Sequence, residues 1–274
     1  MTIHNATTSK LANVPTGSTG CSDFGAMAVS GQKAWALKTK SDNSKSNLLI
    51  YNNITQSYTS NHIYNNTFGH GNGMTSTTNY IYFACWPQSM KIIRLKKSDL
   101  SSRVDITTPT HVTSLAYYGN SQFIVHPNSG GDSTHLYYAI GKNNISGSTG
   151  TMQYLSYFYV DISASDFSGY NTGQDIHYDT STSLLFIPRC KNNNGSILQN
   201  KIAVVNLAGS YTTYNNCKCY TPFEVIVVDK SGNSDYTKFE VESLGIDNTR
   251  HIVMACNVEG NYTDSFHKIT NLTF

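Results

Sequence analysis

Short apolar runs rich in Ile, Val, Tyr and Phe recur along this chain, each bounded by Asn, Gly or Ser. Residues 81–85, 135–140, 154–160, 184–188, 202–207, 223–228 and 252–256 are examples. Short runs of such residues with such boundaries predict β-strands. No amphipathic pattern of helical period extends far enough to predict a helix. The expected fold class is therefore all-β.

A unit of short strand, polar turn, apolar strand, loop and third strand repeats. Its copies begin near residues 25, 72, 113, 174 and 242, on the anchors Met27, Met74, Leu115, Ile176 and Leu244. The first two steps lie in the range of roughly 40–50 residues found for propeller blades, and the later ones need inserted loops. Small sheets with two apolar faces cannot bury both alone, whereas radial stacking buries both and leaves short edges. The expectation is a single domain over residues 1–274, a five-bladed β-propeller. Fourth, outer strands are expected at residues 58–64, 154–160 and 223–228. The last copy runs out of chain before its outer strand, so residues 2–14 are expected to supply it. A two-sheet sandwich is the structural alternative.

Composition narrows the function. Charged residues make up 13% of the 274, about half of the usual share, and nineteen Tyr oppose a reading of disorder. The formal net charge of +2, without a basic run, argues against a nucleic-acid binder. No stretch approaches the roughly 20 apolar residues of a membrane span. Met1 to Lys10 has neither a basic start nor an apolar core, so the chain as given shows no secretory signal. The six cysteines form no CxxC pair. Cys217 and Cys219 lie in an expected polar loop, where a disulfide, a metal pair or free thiols are all open. Cys85 and Cys256 read as core residues. The run Asn192 to Ser196 reads as a surface turn. No cofactor is expected.

In a ring, the residues just before each first strand converge at one mouth. Two positions before the anchors stand Gly25, Asn72, Thr113, Gln174 and Glu242; four positions before stand Asp23, His70, His111, Thr172 and Glu240. From these we take Asp23, His70, Asn72, His111, Gln174, Glu240 and Glu242 as candidate ligand-binding residues. Amides and carboxylates are directional partners for sugar hydroxyls, and Tyr or Trp faces would stack on sugar rings. In Gly69-His-Gly-Asn-Gly73 the glycines permit positive φ and close backbone approach. In Glu240-Val-Glu242, alternation puts both carboxyls on one side, so one pKa is expected to rise. Glu242 with Asp23 or Asp175 would then be an acid/base pair for a glycoside hydrolase or lyase. Nucleophile-elbow, HExxH, Walker A and EF-hand patterns are missing, and the remaining histidines, including His126 and His177, are scattered.

His70-Gly-Asn-Gly-Met74, Gln174-Asp-Ile-His-Tyr178 and Glu240-Val-Glu-Ser-Leu244, with the following 252–257 and Lys268-Ile-Thr-Asn-Leu272, resemble the helveticin-type large bacteriocins of Gram-positive bacteria. The resemblance spans the last four repeats. It implies a secreted or cell-surface protein acting at bacterial envelopes, and assigns no catalytic residue. The expected partner is a carbohydrate or cell-wall polymer.

Overall fold

The structure, a computed structural model, describes residues 1–16, 19–65, 68–163, 167–193 and 196–274. The turn expected at Asn192 to Ser196 falls partly outside these, at Asn194 and Gly195. Among the described residues, the named elements are all strands. Two come from the N-terminus, β1 (Thr2–Asn5) and β2 (Thr8–Asn13). Antiparallel meanders then follow in chain order.

The first meander is β3 (Asp23–Ser30), β4 (Lys33–Thr39), β5 (Ser46–Tyr51) and β6 (Ser60–Tyr64). The second is β7 (Gly73–Ser76), β8 (Tyr80–Ala84), β9 (Lys91–Lys96) and β10 (Asp99–Thr107). The third is β11 (Val112–Gly119), β12 (Gln122–Pro127), β13 (His135–Ser146) and β14 (Thr149–Asp161). In the fourth, β15 (Thr172–Gly173) and β16 (His177–Asp179) share the edge of β17 (Leu184–Asn193), which pairs with β18 (Ser196–Asn206). A hairpin of β19 (Thr212–Tyr214) and β20 (Cys217–Tyr220) leaves this meander to pair with β14, before β21 (Glu224–Asp229) returns beside β18. The last is β22 (Tyr236–Ile246), β23 (Ile252–Gly260) and β24 (Ser265–Ile269).

The N-terminal strands reach two different sheets. β2 lies antiparallel to β24, and β1 lies parallel to β21. Hydrogen bonding does not keep the meanders separate, because β10 pairs in parallel with β14 across residues 105–107 and 149–151. The second and third meanders thus form one ten-stranded sheet with the β19–β20 hairpin, beside a six-stranded and two four-stranded sheets. A two-sheet sandwich is not what forms.

Local chemistry explains the turns. Asn215 and Asn216 both have positive φ in the two-residue β19–β20 loop, the conformation that matches strand twist. Elsewhere an Asp accepts the backbone N–H and the hydroxyl of a Ser or Thr two residues on, as at Asp42, Asp132, Asp179 and Asp247. At Asp99, bonds from Ser101 and Ser102 hold the carboxyl down to about 2.

Apolar side chains fill the spaces between successive meanders. Leu37, Phe83 and Ile93 pack between the first and second. Ile92, Phe123 and Val125 lie between the second and third, and Ile124, Phe158, Leu185 and Val205 between the third and fourth. Phe186, Val204, Phe239 and Met254 join the fourth to the last. Phe24, Met27, Leu49 and Phe266 join the last back to the first. The first strands follow the same cycle: β3 touches β7, β7 touches β11, β11 touches β16, β16 touches β22 and β22 touches β3.

Asp175 sits at the centre of that cycle, fully buried. Its Oδ1 accepts from the N–H groups of Leu115 and Ile176, each at 3.0 Å. Its Oδ2 accepts from Met74 N at 2.8 Å and from Ser243 Oγ at 3.1 Å. Ser243 Oγ also lies 3.0 Å from the carbonyl of Met27. Burial pushes this carboxyl well above the usual range, against the pull of the donors. One hydroxyl proton cannot serve both Asp175 and Met27, and a proton on Asp175 completes the set. Asp175, weighed above as a partner for Glu242, here bonds to Met74, Leu115, Ile176 and Ser243 at the buried centre of the cycle rather than lining the mouth.

Candidate functional site

A cavity of about 750 Å³ opens where first strands of four meanders begin. Asp23, His70, Asn72, Gln174, Glu240 and Glu242 all line it. The seventh candidate, His111, is not among its lining residues. It is half-buried just ahead of β11, where its carbonyl accepts from Asn128 N and its buried Nδ1 lacks a partner. Thr113 lines a neighbouring, smaller cavity, and Thr172 pairs with Cys190 in β15.

The glycine-rich entry to β7 brings His70 and Asn72 to the wall. Gly71 has a φ of +68°, and a Cβ there would run into Leu37 Cδ2. A Cβ on Gly73 would meet the backbone of Ser114 and Leu115 at 2.9 Å. Only a chain without side chains at these points can pass so close to both neighbours while presenting the residues between them. The Asn72 Oδ1 is buried and has no partner.

A β-bulge aims the glutamates. Glu240 pairs with Asn257, Val241 with Cys256 and Ser243 with Ala255, so Glu242 is the extra residue of β22. Both carboxyls reach the cavity while Val241 stays in the core. Glu240 accepts from Gln174 Nε2 at 2.6 Å and from Lys238 Nζ at 2.9 Å. Glu242 accepts from Asn257 Nδ2 at 3.2 Å and hydrogen-bonds to Glu240. Burial raises the Glu242 pKa well above the usual range, and the charge of Glu240 adds to it. Burial alone would lower Lys238, but Glu240, Glu242 and Glu259 lift it above its ordinary value.

Because the folded protein holds a proton on Glu242 that the unfolded chain releases above about pH 4.5, stability falls as pH rises through that window. Glu242→Gln removes the penalty. The variant is expected to exceed the parent at pH 7 by on the order of 1–2 kcal/mol in urea unfolding, with the gain gone at pH 4. An equal difference at both pH values would contradict this ionisation.

Glu240 and Glu242 are in direct contact, too close to flank a sugar bond with room for a water or an ether oxygen. Of the acid/base pairings weighed, Glu242 with Asp23 keeps both members in the cavity. The expected aromatic stacking is not found there. Among the described residues no Tyr or Trp lines it, and the one Phe that does, Phe24, is 1% exposed.

The cavity also contains side chains missed in the sequence. Lys38 on β4 is buried and pairs with Asp264 at 2.7 Å, while Asn257 on β23 holds Glu242. The smaller cavity, about 280 Å³, shares Asn72 and Gln174 and adds Trp86, Thr113, His126 and Arg189. Burial and the Arg189 charge bring His126 down to about 4, and Thr113 Oγ1 lies 2.8 Å from its Nδ1. Lys38, His126, Arg189 and Asn257 share one signal: each is on a second strand, in register with Phe24, Ser114, Gly173 and Glu240 of a first strand or its lead-in.

All six cysteines are free, and Cys217 and Cys219 lie in strand β20 rather than in a loop. Among the described residues no group of three or more His, Cys, Asp or Glu is placed to hold a metal. Among them, too, no helix is long and apolar enough to cross a membrane.

No family model matches the chain, and no curated protein matches it. Three solved structures resemble it slightly. The β-propeller domain of Cps50 (Swd1) from Myceliophteria thermophila aligns at 11% identity and a TM-score of 0.41, over 90% of this chain and 64% of that one. Hydrazine synthase of Kuenenia stuttgartiensis aligns at 11% and 0.44, over 85% and 61%. A Thermus thermophilus protein described as a putative oxidoreductase (glucose dehydrogenase) aligns at 8% and 0.45, over 96% and 87%. The chain spans less than two thirds of the first two. Likenesses this slight carry no argument about blade number or activity.

Proposed function

We propose that this chain is a five-bladed β-propeller whose channel mouth binds a hydroxyl-rich ligand, a glycan or bacterial cell-wall polymer. The cyclic contact of β3, β7, β11, β16 and β22 supports the five-bladed reading, as do the apolar clusters between successive meanders. One observation carries the functional reading. Asp23 and Glu242, at opposite ends of the sequence, line one cavity with Asn72 and Gln174. Such a set offers donors and acceptors in several directions at once, as hydroxyls require. A secreted or cell-surface setting at bacterial envelopes belongs to the same proposal and rests on the motif resemblance to helveticin-type proteins.

A glycan array and a pull-down on bacterial cell walls test it. Glu242→Ala and Asn72→Ala are expected to weaken retention about ten- to a hundredfold, the cost of a hydrogen bond involving a charged or buried partner. A folded parent retained on no saccharide, or variants that bind like the parent, would overturn the assignment.

The raised Glu242, in one cavity with Asp23, favours a second reading, a glycoside hydrolase or lyase with Glu242 as the acid. Release of new reducing ends from peptidoglycan or teichoic-acid panels distinguishes it from binding. Full turnover by Glu242→Gln would remove that acid.

A further inference from the structure

The smaller cavity carries charge of the opposite sign to the larger one. Among the described residues, Arg189 is its single charged lining residue, with no carboxylate and no lysine beside it in the lining. Among the described residues, no carboxylate forms an ion pair with Arg189. Its guanidinium is held from one side, Nε donating to the carbonyl of Tyr170 at 3.0 Å and Nη2 to that of Asn171 at 2.8 Å. Nη1 lies over Gly173, where a Cβ would come within 2.7 Å. Gly173 thus clears the space for this nitrogen. Burial lowers the pKa of Arg189, and the groups that oppose this are Tyr138 and Cys190, neither of them an anion at neutral pH. A half-buried guanidinium fixed by two carbonyls, without a counter-charge, is costly unless a ligand supplies the anion.

The neighbours suit such a ligand. His126 is neutral at pH 7 and turns its Nδ1 to Thr113, while the half-buried Trp86 gives the cavity an aromatic wall. Asn72 and Gln174 form the partition to the larger cavity, and the buried Asn72 Oδ1 still lacks a donor.

We infer that the Arg189 cavity is a carboxylate subsite, taking the acid group of an acidic sugar whose hydroxyls extend past Asn72 and Gln174 into the larger cavity. This names the ligand class of the mouth proposed above and rests on that reading. One cation matches one carboxylate, and the planar guanidinium suits a planar acid. A phosphate dianion would face a single positive charge with the carboxyl of Glu240 just beyond Gln174.

Isothermal titration calorimetry with glucuronate, glucose and inorganic phosphate tests this on the full chain. Glucuronate is expected to bind at least tenfold more tightly than glucose and than phosphate, and Arg189→Gln to erase that preference. Gly173→Ala, which crowds Nη1 but leaves the strand residues in place, is expected to weaken glucuronate in the same direction and decides the matter if Arg189→Gln does not fold. Equal affinity for glucuronate and glucose, phosphate binding as tightly as glucuronate, no glucuronate binding, or folded variants that keep the preference would each overturn the subsite. Neutral glycans that bind and are lost in Glu242→Ala but not in Arg189→Gln would preserve the channel-mouth reading while removing the acid subsite. Arg189-dependent glucuronate binding with no glycan retained on any array would do the reverse.

Discussion

Asp175→Ala is expected to lower stability by about 4 kcal/mol or more, because it strands three buried backbone N–H groups at once. That is a large part of the roughly 5–15 kcal/mol typical of a folded domain. Asp175→Asn should cost less, since its amide oxygen can still accept from Leu115 and Ile176. Its NH₂, however, would face the Met74 N–H, donor against donor, where the carboxyl now accepts at 2.8 Å. Urea unfolding followed by circular dichroism reads both values. The order parent, Asn, Ala is the expected result. An Ala variant with the parent's midpoint would show that the central carboxyl is not what joins the first strands.

Lys38→Met has the next largest expected effect, a loss of about 3–5 kcal/mol. The ammonium is 2% exposed and donates to Asp264 Oδ2 at 2.7 Å and Thr16 Oγ1 at 3.2 Å. Removing it leaves a carboxylate in the cavity wall with Val258 N as its remaining partner. The double variant Lys38→Met with Asp264→Leu should recover much of the loss, because the isolated charge rather than the missing pair is the main cost. Lys40→Met is the control: Lys40 pairs with Asp42 in solvent, and no measurable change is expected. If Lys38→Met behaves like Lys40→Met, the buried pair has no special weight.

Strand content is readable because short apolar runs and Asn- or Gly-centred turns are local properties. The rim candidates are readable for a different reason. Equivalent positions of a repeat converge wherever the repeat curves on itself, so Asn72, Gln174 and Glu242 can be grouped without any linear motif. What stays hidden depends on register. Lys38 and Arg189 face the cavities because they lie across a hairpin from Phe24 and Gly173, and a run of apolar letters does not fix that pairing. The place of Asp175 is hidden for a related reason. It follows Gln174 directly, yet Gln174 reaches the mouth and Asp175 the axis, where β15 gives way to β16. The parallel joint of β10 with β14 is equally out of reach, since it depends on how far two hairpins extend.

The docking of β2 on β24 sets an order of events during synthesis. Thr7 hydrogen-bonds to Asn271, 264 positions later. A chain emerging from the ribosome therefore carries β2 without its partner until Ser265–Ile269 has been made. Contacts this remote form late and slowly, and the interval exposes strand edges to other nascent chains. Yield in the cell should thus depend more on how crowded translation is than on the stability of the finished protein.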